Sequence, residues 1–237
     1  MGYYIGYAIS GLVIIVAIIV SLCAQNKVNS TFSKYREVPS SLNITGAELA
    51  ERLSSVSDVP VSVRMCPGHL TDHYNSRDKS LNISQSNFDS RSVSAHAVVA
   101  HEFGHALQDA EGYVPLKVRQ VVVTVSNFIS GLLMPMLLVG ILLQVFLFSP
   151  IGSIVIYASV GIYALSVIAG LVTLPVEFNA SSRAKKLMYD IGCTSEDEVQ
   201  GTDQVLNAAA MTYVASLFVS LAYFLRFLML LLALRDD

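Results

Sequence analysis

The stretch Ala100-His101-Glu102-Phe103-Gly104-His105-Ala106 contains the pattern His-Glu-x-x-His, and the rest of the chain is interpreted outward from it. On a helix, side chains four residues apart lie on one face, so His101 and His105 direct two imidazoles at a common point, as a Zn²⁺ site needs. Glu102 lies beside that face, where it can take a proton from water as a general base. The pattern therefore predicts one catalytic zinc ion, with His101 and His105 as ligands and Glu102 as a catalytic residue.

The sequence on either side of the pattern favours a helix. Two histidines and a glutamate at this spacing also occur by chance, so the flanking residues matter. Ser90 or Asp89 can cap the start of a helix, and Gly112 can end it. The pattern thus falls in the middle of a predicted helix over about residues 91–111, whose apolar positions are Val93, Ala97, Ala100, Ala106 and Leu107.

The composition indicates a membrane protein. Of the 237 residues, 53% are hydrophobic and only 14% are charged, whereas soluble domains usually carry about 25% charged residues. The net charge of −3 and the absence of a basic patch in the sequence give no support for nucleic-acid binding. Cys23, Cys66 and Cys193 are far apart and form no Cys-x-x-Cys, so nothing in the sequence favours a secreted disulfide fold.

Four stretches are long and apolar enough to cross a bilayer, which takes about 20 residues. No charge occurs before Lys27, and the basic residues follow the apolar run, so an uncleaved first span is favoured over a signal peptide. Residues 120–176 carry no charge, which suits two spans joined by a turn at Ser149–Ser153. The predicted transmembrane helices cover residues 2–25, 120–148, 152–174 and 208–234.

Two residues inside these spans need an explanation of their own. Pro135 is expected to kink the second span, which helices in lipid tolerate. Arg226 interrupts the last span, and it either snorkels toward the headgroups or faces the helix bundle. Snorkelling is the favoured interpretation because Arg226 lies near the end of the chain.

The spans place both polar parts of the chain on one side of the membrane. Residues 26–119 lie between spans one and two, and residues 175–207 lie between spans three and four, so two crossings separate them. Basic residues next to span ends mark the cytoplasmic side. Both polar parts carry them, at Lys27, Lys34, Arg36, Lys117, Arg119, Arg183, Lys185 and Lys186. The sequence predicts a multi-pass protein of the cell membrane with a cytoplasmic active site and both termini outside.

The first polar part is predicted to hold a small mixed domain. Thr45-Gly46-Ala47-Glu48 forms a capping box that opens a short amphipathic helix. Residues 59–65 and 80–84 alternate in the manner of strands, and a hairpin leading into the metal helix is the simplest arrangement. An edge strand of that hairpin can pair with an extended peptide, which is a hypothesis for substrate binding.

Two histidines leave a catalytic zinc ion one protein ligand short. Glu177 is the first charge after the long neutral stretch, and an acidic group next to lipid is costly without a function. The predicted topology puts it on the same side as the histidines, so it is the predicted third ligand. The alternative is a carboxylate that interacts with the dipole at the start of a helix.

The other histidines and Arg183 are weaker candidates. His96 lies well around the helix from His101 and is interpreted as a packing or capping residue. His69 and His73 follow Pro-Gly in a predicted loop and allow three interpretations: a second metal site, hydrogen-bond donors to the transition state, or polar loop residues. His73 is the better candidate for an oxyanion donor. Arg183 is either a further donor or a surface charge.

At these residues the chain resembles the membrane-bound neutral zinc metallopeptidases of bacteria, the YugP-like family. The resemblance spans nearly the whole chain, and it implies a membrane peptidase. It rests on residues 27–32, 67–74, 100–106, 174–181 and 205–210, which read Lys-Val-Asn-Ser-Thr-Phe, Pro-Gly-His-Leu-Thr-Asp-His-Tyr, Ala-His-Glu-Phe-Gly-His-Ala, Leu-Pro-Val-Glu-Phe-Asn-Ala-Ser and Val-Leu-Asn-Ala-Ala-Ala.

More distantly, the plan is similar to the membrane gluzincins, in which the third ligand stands in Glu-x-x-x-Asp after later spans. Glu177 matches the ligand of that motif, whereas Ser181 occupies the position of the aspartate. The carboxylate that orients a histidine in those proteins is therefore absent, or is replaced by the serine hydroxyl or by a residue such as Asp72.

Taken together, the sequence predicts a mainly α membrane protein with four transmembrane helices and a small α+β, zincin-like zinc domain on the cytoplasmic face. The predicted function is hydrolysis of peptide bonds in membrane-associated or juxtamembrane polypeptides, with the lipid bilayer as the other partner. An intramembrane protease is disfavoured because Arg91 and Asp109 flank a motif helix too short and polar to span. A catalytically silent scaffold with a structural zinc site is the remaining alternative. The sequence leaves the oligomeric state open.

Overall fold

The computed structural model describes residues 2–147 and 150–235, which are mainly helical with one small sheet. Contacts divide the chain into two compact units, and each is described by itself. The elements, in chain order, are α1 (Gly2–Arg36), α2 (Gly46–Ser57), β1 (Ser62–Cys66), β2 (His73–Asn75), β3 (Ser80–Ser84), α3 (Gln85–Phe88), α4 (Val93–Ala110), α5 (Val114–Leu147), α6 (Pro150–Asp190) and α7 (Glu196–Arg235).

The first unit is apolar and comprises Met1–Cys23, Val118–Leu174 and Tyr213–Asp237. It is built from parts of α1, α5, α6 and α7. Within the described residues, the four helices that are long and apolar enough to cross a membrane contain the segments Gly6–Arg36, Val114–Leu133, Ile151–Asp190 and Glu196–Met229. The number of predicted spans is thus confirmed by length and composition. Their side chains are extensively exposed in the chain itself, as helices facing lipid require.

α6 begins earlier than the sequence analysis predicted. Of the predicted turn Ser149–Ser153, Ser149 lies outside the described residues, and Pro150 to Ser153 form the first turn of α6. Proline suits this position because the first helical residue needs no N–H donor and its φ angle is already helical. Pro135 lies inside α5, and the helix continues through it.

Arg226 contacts another helix, which supports the second interpretation, a residue that faces the helix bundle. Its Nη2 donates a hydrogen bond of 2.8 Å to the hydroxyl of Tyr7 in α1. Its guanidinium also lies 4.2 Å from the centroid of the Tyr7 ring. A cation and an aromatic face attract each other, so the contact with Tyr7 stabilises the partly buried guanidinium.

The second unit comprises Ala24–Lys117 and Pro175–Thr212. The polar end of α1 belongs to it, since α1 continues to Arg36, beyond the predicted end of the first span at residue 25. Phe32 and Tyr35 from this end are buried. The core of the unit is apolar and contains Tyr35, Leu49, Leu53, Leu81, Ile83, Val93, Val99, Phe103, Met188 and Leu206.

The sheet of this unit has the order β1-β3-β2, which differs from the predicted hairpin. β1 pairs with β3 in parallel, with Ser62 opposite Ser80, and β2 pairs with β3 antiparallel. Residues 67–79 connect β1 to β3, and β2, which was not predicted, forms within this connection. A parallel pair needs a crossover of a dozen or more residues, which this segment supplies. Alternation revealed the strands, but it carries no information on their direction.

The ends of α2 and α4 show how local sequence fixes these helices. The predicted capping box is confirmed: Thr45 accepts from the Glu48 backbone N–H, and the Glu48 side chain accepts from the Thr45 backbone N–H. α4 begins at Val93 rather than at 91, because Ser92, not Ser90 or Asp89, accepts from a backbone N–H of the first turn. It ends at Ala110, and Gly112 follows in the left-handed conformation (φ 69°), as predicted for the stop.

The second polar part of the chain is helical at both ends. α6 runs through Pro175 without a break, so the predicted third span and the segment that follows it belong to one helix. Glu177 therefore lies within a helix and not at a helix start, which removes the alternative role at the dipole. α7 begins at Glu196, and Glu198 in its first turn is buried and accepts hydrogen bonds from Ser40 and Ser41.

Candidate metal centre

The paired histidines lie on the buried face of α4. His101 and His105 are 9% and 7% exposed, and their ring centroids are 5.0 Å apart. The rings meet edge to face at 84°, so their Nε2 atoms approach one place from two directions. The four-residue spacing thus produces the geometry predicted from the sequence.

Glu177 from α6 completes the cluster. Its Oε2 lies 3.1 Å from His101 Nε2, and its Oε1 lies 3.7 Å from His105 Nε2. The carboxylate is 1% exposed, and one donor atom from each of the three residues lies within 4.8 Å of the others. Among the described residues this is the single group of three or more such side chains placed to hold a metal ion. The structure therefore brings together the three predicted ligands.

The donor set fits a zinc ion. Two imidazole nitrogens and one carboxylate oxygen are the protein ligands of many catalytic zinc sites, which keep a fourth position open. Ligand bonds of about 2.0–2.1 Å in a tetrahedron separate the ligand atoms by about 3.3 Å, close to the two distances from Glu177. A carboxylate and two imidazoles buried together are also costly unless they share a partner or a charge.

A glycine lets the two helices approach closely at this point. A Cβ atom on Gly104 of α4 would lie 2.6 Å from the backbone oxygen of Ala180 in α6. Real Cβ atoms do not come that near to another backbone, so the helices can meet here because residue 104 lacks a side chain. Gly104 stands between His101 and His105 along the chain, and Ala180 follows Glu177 by three residues. The close approach therefore positions the ligands from the two helices.

The side chain of Glu102 is hydrogen-bonded to strand β2 of the sheet. Its Oε2 accepts a hydrogen bond of 3.0 Å from the backbone N–H of Tyr74 in β2. Burial raises the pKa of the Glu102 carboxyl above its ordinary value, against the opposing effect of the two histidines. A carboxyl with a raised pKa is a stronger base, so this environment suits a group that accepts and returns a proton.

Neutral side chains bind the outer nitrogens of both histidines. Ser181 Oγ lies 3.1 Å from His101 Nδ1, so the serine hydroxyl takes the place of the aspartate expected from the gluzincins. Asp72, the other candidate for that role, instead accepts hydrogen bonds from Ser84 and Asn87. The partner of His105 was not predicted: Gln108 Oε1 lies 2.9 Å from His105 Nδ1. Its position three residues after His105, on the same helix face, was the available signal.

The remaining histidines have hydrogen-bond partners outside the cluster of His101, His105 and Glu177. His96 is fully buried and its Nε2 lies 2.8 Å from the carbonyl of Ile44, in keeping with a packing residue. His69 contacts Ser86 and the ring of Phe32. His73 is exposed, and its Nδ1 lies 2.9 Å from the Thr71 carbonyl. Among the described residues none of these three belongs to a metal-binding group, so of the three interpretations of His69 and His73 the second metal site has no support.

Arg183 forms an ion pair. Its Nη1 and Nη2 lie 2.6 Å and 2.7 Å from the two carboxylate oxygens of Glu111, and its Nε donates to Asn179 Oδ1. A bidentate pair of this kind fixes the guanidinium plane. The side chain therefore has a structural partner, and the structure favours neither a free donor nor a simple surface charge.

Comparison with known proteins gives two matches. The model of a family described as "Putative neutral zinc metallopeptidase" matches residues 10–232. A protein of Bacillus subtilis (strain 168) named "Putative membrane protease YugP" is 42% identical over 228 residues, which cover 94% of this chain and 96% of that protein. No solved structure matches the chain.

Proposed function

The chain belongs to the neutral zinc metallopeptidase family, and from that premise we propose that it is a membrane-embedded, zinc-dependent endopeptidase. His101, His105 and Glu177 would hold the ion, and Glu102 would act as the catalytic base. The observation that carries the proposal is that Glu177 lies next to both histidines. Glu177 is 76 residues from His101 along the chain, so the fold brings these residues together. A family name alone does not require such a convergence.

The residues that would hold the ion and the Glu102 carboxylate would have separate chemical roles. A zinc ion bound there supplies a Lewis acid that polarises a carbonyl and lowers the pKa of water to about 7. The Glu102 carboxylate takes the proton from the attacking water and passes it to the amine that leaves. Because Glu102 Oε2 already accepts from the Tyr74 N–H, we assign the proton transfer to Oε1. That hydrogen bond also fixes the direction of the carboxylate. The group is therefore oriented before the reaction begins, which lowers the entropic cost of reaching the transition state.

The proposed substrates are membrane-associated or juxtamembrane polypeptides. Four helices of the described residues are apolar enough to cross a bilayer, and the relative from Bacillus subtilis is named "Putative membrane protease YugP". Counting crossings puts His101 and Glu177 on one side, and the positions of Lys and Arg favour the cytoplasmic face of the cell membrane. Because Glu177 directly follows a predicted span, the proposed active site would lie near the membrane surface. Polypeptides at that surface would therefore be accessible to it.

A silent scaffold with a structural zinc ion is the alternative. Structural zinc sites have four protein ligands as a rule, whereas the described cluster offers three. They also need no base, yet Glu102 lies beside the histidines with a hydrogen bond that orients it. An intramembrane protease fits less well, since α4 is an 18-residue helix and is not among the helices apolar enough to span.

Comparison of membrane proteomes tests the proposal. Cells would express either the wild-type chain or Glu102→Gln at equal levels, and new N-termini of membrane proteins would be quantified. We expect a set of termini present with the wild type and absent with Glu102→Gln. A purified substrate from that set should be cleaved in liposomes, with the activity lost on chelation and restored by zinc. Identical termini in both cell lines would contradict an endopeptidase and favour the scaffold.

A further inference from the structure

The side chain of Gln108 makes three hydrogen bonds in the interior of the second unit. It is fully buried on α4, and its Oε1 lies 2.9 Å from His105 Nδ1. Its Nε2 lies 2.8 Å from the backbone carbonyl of Val176 and 2.9 Å from Asn179 Oδ1. The amide thus connects a predicted ligand on α4 with the helix turn of α6 that carries Glu177.

The Val176 carbonyl fixes which way the amide points. A backbone carbonyl only accepts hydrogen bonds, so the atom of Gln108 that faces it must be the NH₂ group. The oxygen of the amide therefore faces the ring of His105. Because that oxygen also only accepts, the ring nitrogen opposite it must carry a proton.

The second acceptor of the Gln108 amide is fixed in the same manner. Arg183 Nε, which only donates, lies 2.8 Å from Asn179 Oδ1, so the oxygen of Asn179 faces inward toward both donors. The guanidinium is held in turn by its bidentate pair with Glu111. Every link from Glu111 to the imidazole of His105 therefore has a defined donor and a defined acceptor.

We propose that Gln108 is a positioning residue that locks His105 with its proton on Nδ1 and its lone pair on Nε2. This inference rests on the proposed function, in which Nε2 is the atom that would bind the ion. The lock means that His105 needs no tautomer change when zinc enters. An amide takes the role that a carboxylate or a backbone carbonyl has at many metal-bound histidines.

His101 differs from His105 in this respect. Its Nδ1 faces the hydroxyl of Ser181, which can donate or accept. Its Nε2 lies 3.1 Å from Glu177 Oε2 and can donate a hydrogen bond to that carboxylate while the zinc ion is absent. His101 can therefore exist in either tautomer, and the Ser181 hydroxyl turns to suit it. Of the two histidines, His105 is thus held in one tautomer and His101 can adopt either.

The consequence is an unequal effect of the two outer partners on metal affinity. Loss of an outer hydrogen-bond partner costs about 10–100-fold in metal affinity at known sites. We expect that loss for Gln108→Leu, which removes the acceptor. For Ser181→Ala we expect only about 2–10-fold, the worth of one neutral hydrogen bond. Gln108→Glu should keep the affinity within about threefold, because a carboxylate still accepts from Nδ1–H.

Zinc titration of the full-length chain in detergent, against a chromophoric chelator, tests this order. Gln108→Leu and Gln108→Glu both lose the bonds to Val176 and Asn179, so their difference isolates the acceptor to His105. Ser40→Ala, which removes a buried hydrogen bond to Glu198, is the control for general destabilisation. It should lower the melting temperature and leave the zinc affinity unchanged.

Each outcome of the titration supports or overturns a stated claim. Equal affinities of Gln108→Leu and the wild type, or equal losses in the Leu and Glu variants, would overturn the lock and leave the proposed function standing. A wild-type chain that binds no zinc would overturn the proposed function and the lock together. Should the variants fold poorly, ¹⁵N NMR of labelled histidines in zinc-free wild type decides: the signals absent in His105→Gln should show a protonated Nδ1, and a proton on Nε2 with none on Nδ1 would overturn the lock.

Discussion

The backbone N–H of Tyr74 donates a hydrogen bond of 3.0 Å to Glu102 Oε2, which joins strand β2 to the helix of the paired histidines. Tyr74 pairs with Leu81 of β3 in the sheet, and its N–H points away from that strand toward α4. The edge of β2 that does not pair with β3 therefore faces the candidate catalytic residue, and the Tyr74 N–H on that edge is taken up by Glu102. A peptide lying along this edge would be next to Glu102, but the edge belongs to β2 and not to the predicted hairpin, which does not form because β1 pairs with β3 in parallel.

Glu102→Gln separates metal binding from catalysis. The amide oxygen of glutamine can still accept from the Tyr74 N–H, so the contact between β2 and α4 should persist. Removal of the base should lower kcat by about 10²–10⁴-fold, the usual contribution of a positioned acid or base. The measurement is cleavage of a substrate in liposomes together with zinc content per chain. Unchanged cleavage in a variant that retains zinc would exclude Glu102 as the base.

Gly104→Ala should push α4 and α6 apart. A methyl group 2.6 Å from the Ala180 oxygen cannot be accommodated without a shift of backbone, although alanine favours a helix by up to about 1 kcal/mol over glycine. We expect a lower melting temperature and weaker zinc binding, since Glu177 moves with α6. Gly161→Ala is the matched control, because no described atom lies within 4 Å of its added Cβ. A Gly104→Ala chain as stable as that control would refute the close approach.

The parts of the site that the sequence predicted are those with a local or a topological cause. The spacing of His101 and His105 needs only a helix, and the capping box at Thr45 is complete within four residues. Glu177 was identified because it is an isolated charge after a neutral stretch, and because the predicted topology puts it on the same side of the membrane as the histidines. For these residues, short-range geometry and the count of crossings carry enough information.

The parts that were missed depend on contacts between distant segments. The parallel pairing of β1 with β3 depends on a crossover whose route alternation does not encode. The role of Gln108 could not be predicted because it depends on hydrogen bonds to Val176 and Asn179, which lie on another helix. The contact of Arg226 with Tyr7 was not predicted, because the two residues stand more than two hundred positions apart. In each case a side chain's role is decided by tertiary neighbours.

His96 should make the stability of the chain depend on pH. The ring is fully buried, and burial lowers the pKa of His96 more than the hydrogen bond to Ile44 and the charge of Glu198 raise it. The folded chain thus keeps His96 neutral, while the unfolded chain binds a proton below its ordinary pKa of 6.5. The associated stability is therefore complete above about pH 6.5 and is lost as the pH falls toward the lower, folded-state pKa.

The free energy of unfolding of zinc-loaded protein, measured from pH 7.5 to 5.0, checks this dependence. His96→Gln can still donate to the Ile44 carbonyl but does not titrate, so its stability should fall less steeply with decreasing pH. The other titrating groups are common to both proteins and cancel in the difference. Parallel curves for the wild type and His96→Gln would show that His96 contributes nothing to the pH dependence.

The predicted orientation in the membrane can be tested by thiol labelling. In a background with Cys23, Cys66 and Cys193 replaced, Arg77→Cys places a thiol in the exposed turn before β3. A membrane-impermeant maleimide should label this thiol only after cells are broken, because basic residues favour a cytoplasmic location. Asp237→Cys, at a terminus predicted to lie outside, should react in intact cells. The reverse pattern would invert the topology without affecting the metal site.

The central claim is that one ion is shared by His101, His105 and Glu177, and the zinc content of purified chains tests it most directly. Wild-type protein should contain about one zinc per chain, as expected for three converging ligands. Glu177→Ala should lose most of it, whereas Glu51→Ala, an exposed carboxylate in the same unit, should retain it. A Glu177→Ala chain with the same zinc content as the wild type, or a wild type without zinc after supplementation, would contradict the account.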